Sequence, residues 1–239
     1  MKKIYTLFFS LALFLTIQAQ SAGTGMVSAD KELSYKKGRL LYKDDFDPAL
    51  KNWVAEFPAK QESGVTAKKG KLVIDVQDGA TVWFTKKLPD NILIEYTRTV
   101  IIKGGRNDRL SDLNQFCMAA DPANDNLFTR KGAFGEYDSL RLYYVGMGGN
   151  TNTTTRFRKY TGNGERVLYG DSTDKEHLLQ ANKEYQIRTV VYKGFVQFFV
   201  NGSRFFSFRD PEPLHDGYFG FRTTQSRQEI SNFRVFALE

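Results

Sequence analysis

The chain has 239 residues, 41% of them hydrophobic, with 34 basic and 27 acidic side chains and a formal net charge of +7. This composition excludes a disordered chain and is sufficient for the core of one large domain. The single cysteine, Cys117, excludes an intrachain disulfide, and its apolar neighbours predict a small buried side chain rather than a reactive thiol.

The first residues have the pattern of a secretion signal. Lys2 and Lys3 precede an apolar run over residues 4–17, which is too short for a stable membrane span, and small residues predict cleavage near Ala19. We therefore expect an exported monomer, periplasmic or extracellular, with a signal at 1–19, a polar lead-in at 20–38 and one domain at 39–239. Export argues against a nucleic-acid partner for the basic excess and favours an anionic glycan.

The rest of the chain has the pattern of β-strands. Strands are predicted over 40–46, 71–76, 81–88, 92–102, 141–145, 154–160, 185–193 and 232–238. Asn201-Gly202 predicts a hairpin over 195–208 with Phe198 opposite Phe205, and one short helix is expected over 174–181. Many strands without a helical period predict an all-β fold, a two-sheet antiparallel β-sandwich of the jelly-roll type.

Residues 137–160 predict a hairpin with an unusual face. Strand alternation and a register that keeps arginines away from Leu140 and Leu142 place Tyr143 near Arg158 and Arg141 near Tyr160. The face would carry Arg141, Tyr143, Arg156, Arg158 and Tyr160. Guanidinium groups bind carboxylates bidentately and phenol rings stack on sugars, so this face suits an acidic glycan. The alternative is an outer sheet face of solvated arginines.

Two loops add candidate ligand-binding residues. The glycine-rich loop inside the hairpin carries Asn150 and Asn152, and the loop over 104–114 carries Arg106, Asn107 and Asn114. Loops at strand ends often hold ligand groups on a rigid scaffold. The alternating Arg and Asp residues of the second loop are equally consistent with surface salt bridges that satisfy one another.

The sequence leaves open whether the protein is an enzyme. A lyase would need an arginine to neutralise a uronate and a base to remove the C5 proton, for which Tyr143, His177 and His215 are the candidates. The alternating acids of a concanavalin-type glucanase are missing, and Glu136 and Asp138 come nearest in spacing. A lyase is therefore favoured over a hydrolase, and a binding protein without chemistry needs only the arginine–tyrosine face.

No metal site and no cofactor are predicted, because neither histidine has a ligand partner at short spacing. A structural calcium ion is the one open possibility. Asp44, Asp45 and Asp47 offer hard oxygen ligands near the first strand, although a plain acidic strand end explains them as well.

Longer segments resemble known families. A strand ending at Val191, the hairpin at 195–202, the segment at 217–222 and the closing strand at 230–235 resemble the end of the concanavalin A-like lectin/glucanase superfamily. Segments 105–114, 119–122 and 137–160 resemble uncharacterised exported jelly rolls of Bacteroidetes, related in layout to the YesU-like proteins of pectin-utilisation operons. The resemblance implies a jelly roll and polysaccharide processing. We expect a protein that binds an acidic, uronate-containing polysaccharide in a concave groove; the alternative is a glycan-degrading enzyme, foremost a lyase acting on pectin-type glycans.

Overall fold

The computed structural model describes residues 33–239, so the expected signal and most of the lead-in lie outside the described residues. The strands are β1 (Lys37–Asp44), β2 (Trp53–Glu56), β3 (Gly64–Lys68), β4 (Lys71–Phe84), β5 (Leu88–Pro89), β6 (Ile92–Val100), β7 (Leu113–Ala120), β8 (Arg141–Gly148), β9 (Thr154–Thr161), β10 (Arg166–Ser172), β11 (Glu184–Tyr192), β12 (Phe195–Val200), β13 (Ser203–Arg209) and β14 (Asp216–Leu238). Short turns of helix occupy Phe134–Tyr137, Gly149–Asn152 and Lys175–His177. No helix in this part of the chain is long and apolar enough to cross a membrane.

The strands form two antiparallel layers, which confirms the predicted sandwich. The front sheet runs β10-β9-β8-β7, followed by the first half of β14, the second half of β4, and β2. The back sheet runs β13-β12-β11-β6, followed by the second half of β14. That half of β14 also pairs with β1 and with the first half of β4, and β3 pairs with the first half of β4. β4 and β14 therefore belong to both layers.

Two irregularities let β14 pass between the layers. Gln225 has a φ of 43° where the register with β4 shifts, and Asn232 has a φ of 57° where the register with β6 shifts. Bulges of this kind bend a strand and increase its twist. The bends allow a single strand to serve both sheets.

An aromatic core fills the space between the layers. The ring of Trp53 lies 5.2 Å from that of Phe221 and 5.0 Å from that of Phe233, both on β14. Cys117 is buried in the same core, as its apolar neighbours predict. Burial of such large side chains supplies most of the stabilisation of a sandwich.

A second apolar cluster lies on the outside of the front sheet. Residues 121–140, which we call the cap, follow β7 and cover part of this outer surface with Leu127, Tyr137 and Leu140. The cap packs on Trp83 and Phe116 of the sheet. Both surfaces of the front sheet are therefore buried where the cap lies.

Three local predictions are wrong. The strand predicted over 71–76 and the first part of the one predicted over 81–88 form the single strand β4, which ends at Phe84. Only Lys175–His177 of the helix expected over 174–181 is helical. In the β12–β13 hairpin Phe198 pairs with Phe206 rather than with Phe205. A register shift next to this pair accommodates the extra residue, which a simple two-residue turn would not require.

Gly79 provides a test of how closely the cap packs. A Cβ atom at Gly79 would lie 2.1 Å from the carbonyl oxygen of Gly132 in the cap and 2.7 Å from Nη2 of Arg222. We expect Gly79→Ala to lower the free energy of unfolding by about 1–3 kcal/mol, because backbone must move to relieve the overlap. Chemical denaturation measures the loss.

Gly64→Ala is the matched control, since no atom lies within 4 Å of a Cβ there and its φ is not positive. This change should leave the stability unchanged or slightly raised. Equal losses in the two variants would contradict close packing of the cap on β4.

Candidate functional site

The register between β8 and β9 differs by one residue from the prediction. Tyr144 pairs with Arg158 and Leu142 with Tyr160, whereas Tyr143 pairs with Lys159. The expected exclusion of leucines from the arginine-bearing face is therefore wrong. The observed register is possible because the cap buries Leu140 and Leu142 on the outside of the sheet, so these leucines need not point into the core.

Pairing across the front sheet places two rows of side chains on its outer surface, which we call the front face. The aromatic row runs Leu168, Arg158, Tyr144, Phe116, Gly220 and Trp83. The polar row runs Asp171, Arg156, Gly146, Asn114, Arg222, Thr81 and Glu56. Arg166 and Tyr160 pair beside the aromatic row. The face thus carries arginines interleaved with phenols, as predicted, although its phenols are Tyr144 and Tyr160.

Glu56 anchors the cap to one half of this face. Its Oε2 accepts hydrogen bonds from Nε1 of Trp83 at 2.8 Å and from the hydroxyl of Tyr137 at 2.9 Å. Its Oε1 accepts one from the backbone of Arg130 at 2.8 Å. The buried carboxylate is thereby satisfied by donors from both the sheet and the cap, as a buried charge requires.

Arg222 lies under the edge of the cap, and no carboxylate in residues 33–239 pairs with it. Its Nη1 donates to the carbonyl of Gly132 at 2.6 Å, while Nε and Nη2 have no partner within the described chain. Its guanidinium carbon lies 5.1 Å from the centre of the Tyr137 ring and 5.5 Å from that of Phe134. Burial lowers the pKa of Arg222 from its ordinary value, but the group stays charged at neutral pH.

Other polar atoms near Arg222 also lack partners within the described chain. Oδ1 of Asn114 and the hydroxyl of Tyr160 are buried and make no hydrogen bond. Gly146, which lies beside Asn114 in the polar row, leaves room that the hydroxyl of Tyr144 fills. Buried groups of this kind are rare in folded proteins and mark positions where water or a ligand is expected.

The half of the face beyond the cap is open. Arg158 is half-buried, its guanidinium carbon lies 5.8 Å from the centre of the Tyr144 ring, and no carboxylate pairs with it within residues 33–239. Its neighbour in the row, Leu168, is 50% exposed. Phe134 of the cap borders the opening and lies 4.4 Å below the guanidinium carbon of Arg166. Tyr144 itself is buried beneath Arg158, so the open half presents Leu168, the half-buried ring of Phe134 and the guanidinium of Arg158, which has no acidic partner within residues 33–239.

The remaining cations of the face have partners. Arg156 contacts Asp171 at 3.1 Å, and Arg166 binds Asp138 through Nε at 2.7 Å and Nη2 at 2.6 Å. These pairs hold the two arginines at the border of the open half. They also show that acids outside β8 and β9 compensate part of the charge.

Tyr143 lies in the core and not on the front face. Its hydroxyl donates to Oδ2 of Asp210 at 2.6 Å and accepts from the backbone of Leu214 at 3.0 Å, and Lys159 neutralises the same carboxylate. Burial, together with the hydrogen bond to Asp210, raises the pKa of Tyr143 well above its ordinary value. A phenol in this state is a poor general base. Tyr143, a candidate catalytic residue in the sequence analysis, instead binds Asp210 and Leu214 and so holds the segment before β14 against the core.

Arg141 also lies apart from the open half. It pairs with Thr161, next to Leu142 on β8, so strand alternation directs it to the opposite side of the sheet from Arg158. It is exposed at the end of the strand. The two arginines predicted to share a face are therefore separated.

The loop candidates are largely used within the fold. Arg106 pairs with Glu62 at 2.8 Å, and Nδ2 of Asn107 donates to the carbonyl of Glu62 and to Asp75. Asn152 exchanges two hydrogen bonds with the backbone of Leu179. Asn150 is exposed in the left-handed turn Gly149–Asn152. Of the loop candidates, Asn114 is the one that the structure places beside the front-face arginines.

Neither histidine reaches the front face through a hydrogen bond. Nδ1 of His215 contacts Asp90 at 3.0 Å, and the ring of His177 packs on Phe205 with centroids 4.3 Å apart. The nearest approach to a glucanase pair is also occupied, because Glu136 accepts from two backbone amides of the cap and Asp138 binds Arg166. No pair of free carboxylates is therefore available at these positions.

The three aspartates considered as calcium ligands have separate partners. Asp44 accepts from the indole of Trp53 at 2.9 Å and from Asn52 at 3.1 Å, Asp45 pairs with Arg234 at 2.5 Å, and Asp47 caps the backbone of Ala49. Donor groups of the protein thus take the positions that a cation would need. This arrangement favours the interpretation as an acidic strand end.

The front-face residues that the sequence analysis missed are Tyr144, Phe134, Arg166, Leu168 and Arg222. The position of Tyr144 on the front face depends on the register between β8 and β9. Arg222 lies in the segment at 217–222, which the sequence analysis used only as a sign of the fold. β10 has no predicted strand, so Arg166 and Leu168 could not be placed. The one available signal was Leu168, an apolar residue in a polar, glycine-containing stretch.

Comparison with known proteins identifies the family and the fold. The family model described as "Domain of unknown function (DUF6250)" matches residues 74–233, more than half of the chain. No curated protein matches. A protein of unknown function with a galectin-like fold from Bacillus subtilis superposes with a TM-score of 0.71 at 21% identity, covering 86% of this chain and 99% of that one.

Two further structures share the fold at lower identity. The carbohydrate binding module CBM66 from Bacillus subtilis has a TM-score of 0.56 at 11% identity, over 80% of this chain and 99% of that one. The endo-beta-1,3-glucanase from Pyrococcus furiosus has a TM-score of 0.57 at 8% identity, over 87% and 99%. At these identities the comparisons establish the concanavalin-type jelly roll and no more.

Tyr143→Phe tests the structural role of Tyr143. The change removes a buried hydroxyl that joins Asp210 to the backbone of Leu214, and we expect it to lower the free energy of unfolding by about 1–3 kcal/mol. The control is Tyr169→Phe, because Tyr169 packs on the same aromatic cluster and its hydroxyl has no partner in the described chain. Denaturation of both variants measures the difference, and equal stability would contradict the assignment.

Proposed function

We propose that this chain, which belongs to the DUF6250 family, binds an acidic, uronate-containing polysaccharide in the open half of its front face. The ligand would lie across the strands, with its sugar rings over Phe134 and Leu168 and a carboxylate on Arg158. Export of the protein is part of the proposal, because such polymers are found outside the cell.

The observation that carries the proposal is Arg158. It lies on an aromatic row, it is half-buried, and no acid within the described residues neutralises it. A partly buried cation without a counter-charge costs free energy, and an anionic ligand removes that cost. A carboxylate bound by a guanidinium group gains two parallel hydrogen bonds as well as the charge interaction.

Arg222 also favours a negatively charged ligand. It places a second unpaired positive charge behind the open half, where burial limits screening by solvent. The field from this residue favours an anion at the face even though its own guanidinium lies under Phe134 and Tyr137.

The similar structures are consistent with a glycan ligand. Their descriptions name a carbohydrate binding module and an endo-beta-1,3-glucanase, on the same jelly-roll scaffold. Function resides in the site and not in the fold, so the acidic preference rests on the arginines of this chain.

Binding is favoured over lyase chemistry. Burial raises the pKa of Tyr160 to about 12, so its phenol stays protonated at neutral pH, and burial also raises the pKa of Tyr144. Neither histidine contacts the face by a hydrogen bond. A base with a pKa near the working pH, which proton abstraction requires, has not been found among the described front-face groups.

Arg158→Ala is the direct test. We expect it to reduce the affinity for polygalacturonate ten- to hundredfold, because a charge-assisted hydrogen bond contributes about 1.5–3 kcal/mol. Isothermal titration calorimetry at low ionic strength measures the change.

Arg141→Ala is the matched control, since it removes the same charge from the neighbouring strand on the opposite side of the sheet. Its affinity should equal that of the unmodified protein. A similar loss in both variants would show that general charge, and not the front face, determines binding.

The salt dependence tests the acidic preference. Affinity for polygalacturonate should fall as sodium chloride rises from about 0.05 to 0.5 M, because the Debye length shortens from roughly 14 Å to roughly 4 Å. The same polymer with its carboxyl groups reduced to alcohols should bind weakly and without salt dependence. Equal binding of the two polymers would refute a role for the carboxylate while leaving a neutral glycan as the ligand.

A further inference from the structure

The outer surface of the back sheet, which we call the back face, carries a second row of cations. Pairing across the sheet gives the order Arg204, Phe199, Arg188, Glu95, Arg234 and Lys43. The neighbours of these residues along each strand, such as Ile187 and Val235, point into the core. The row crosses β13, β12, β11, β6, β14 and β1, a width of about 24 Å at the usual strand spacing of ~4.8 Å.

The charges of this row are not balanced. Glu95 pairs with Lys37 at 2.7 Å, and Arg234 pairs with Asp45 at 2.5 Å. No acid within residues 33–239 pairs with Arg188, Arg204 or Lys43. Three cations along one line of the surface therefore have no acidic partner in the described part of the chain.

Arg188 occupies the centre of this surface. Its guanidinium carbon lies 4.9 Å from the centre of the Phe199 ring, which holds the side chain flat against the sheet. A depression of about 800 Å³ borders it on one side, lined by Tyr35, Gln197, Phe199 and Arg204. A second of about 520 Å³ borders it on the other, lined by Glu95, Thr97, Gln186, Asn232 and Arg234.

The two depressions have the composition of a glycan-binding surface. On one side lie aromatic rings and guanidinium groups that have no acidic partner within residues 33–239. On the other lie amide and hydroxyl groups, together with Glu95 and Arg234, which are each engaged in an ion pair. An extended chain with carboxylates at intervals would find a cation at several points of the row. A single small anion would use only one of them.

We propose that the back face is a second binding surface for an acidic polysaccharide chain, centred on Arg188 and Arg204. The inference rests on the proposed function for the class of ligand but uses a different set of residues. The two surfaces lie on opposite sides of the sandwich, so one protein molecule would hold two polymer segments at once. Linked sites of this kind raise the overall avidity for a polymer above that of either surface.

The test uses the full chain and immobilised polygalacturonate. In an Arg158→Ala background, adding Arg188→Ala and Arg204→Ala should lower the residual affinity at least tenfold. Adding Lys51→Ala and Lys86→Ala to the same background is the control, because both lysines are exposed in turns at one end of the sandwich and the loss of charge is equal. Circular dichroism verifies that each variant is folded.

Each outcome decides between the two surfaces. No residual binding in Arg158→Ala, or equal losses in the back-face and control variants, would overturn the second surface and leave the front-face proposal standing. A third variant carries Arg188→Ala and Arg204→Ala without Arg158→Ala. If this variant loses binding while Arg158→Ala binds like the unmodified protein, the second surface is supported and the first is overturned. Turbidity gives an independent readout, since the unmodified protein should cross-link the polymer and neither single-surface variant should.

Discussion

The hydrogen bonds to Glu56 help to hold the cap in place and so determine which part of the front face stays open. This carboxylate joins Trp83 of the sheet to Tyr137 and the backbone of Arg130 in the cap. These hydrogen bonds act together with the apolar packing of the cap on Trp83 and Phe116 and with the hydrogen bond from Arg222 to Gly132, and the cap keeps Leu140 and Leu142 from water. The register of β8 and β9, the burial of Arg222 and the position of Phe134 all depend on the cap lying where it does. The candidate site is therefore bordered by a segment without strand structure, the cap, which Glu56 of β2 helps to hold in place.

Much of the fold was predictable because strand patterns are local. The alternation along β6, β8, β9 and β11 identified those strands, and the Asn201-Gly202 turn identified the hairpin of β12 and β13. The long strands were harder, since bulges at Gln225 and Asn232 have no counterpart in a simple period of two. The predicted breaks inside β4 have a similar origin, because Gly79 is a point of close approach to the cap and not a turn.

The type of surface at the candidate site was predictable from the sequence, but most of the residues that form it were not. That arginines and phenols would share a sheet face follows from the composition of residues 137–160. Which phenols do so depends on the register, and the register depends on whether Leu142 has a hydrophobic partner outside the sandwich. That partner comes from the cap, so pairwise reasoning on two strands could not find it. Tyr143, Arg106, Asn107 and Asn152 were chosen for their chemistry, yet the hydroxyl of Tyr143, the guanidinium of Arg106, Nδ2 of Asn107 and the amide of Asn152 bind other parts of the fold.

The path of β14 through both layers has a mechanical consequence. A polymer that is held on the front face and another that is held on the back face would pull the two sheets apart when the network they form is stretched. Side-chain packing in the core between the sheets resists such a load. The covalent backbone of β14, and that of β4 beside it, also connects the two sheets, so separation would require breaking ladder hydrogen bonds along strands paired on both edges. The two layers are therefore joined by continuous backbone as well as by the packing of the core.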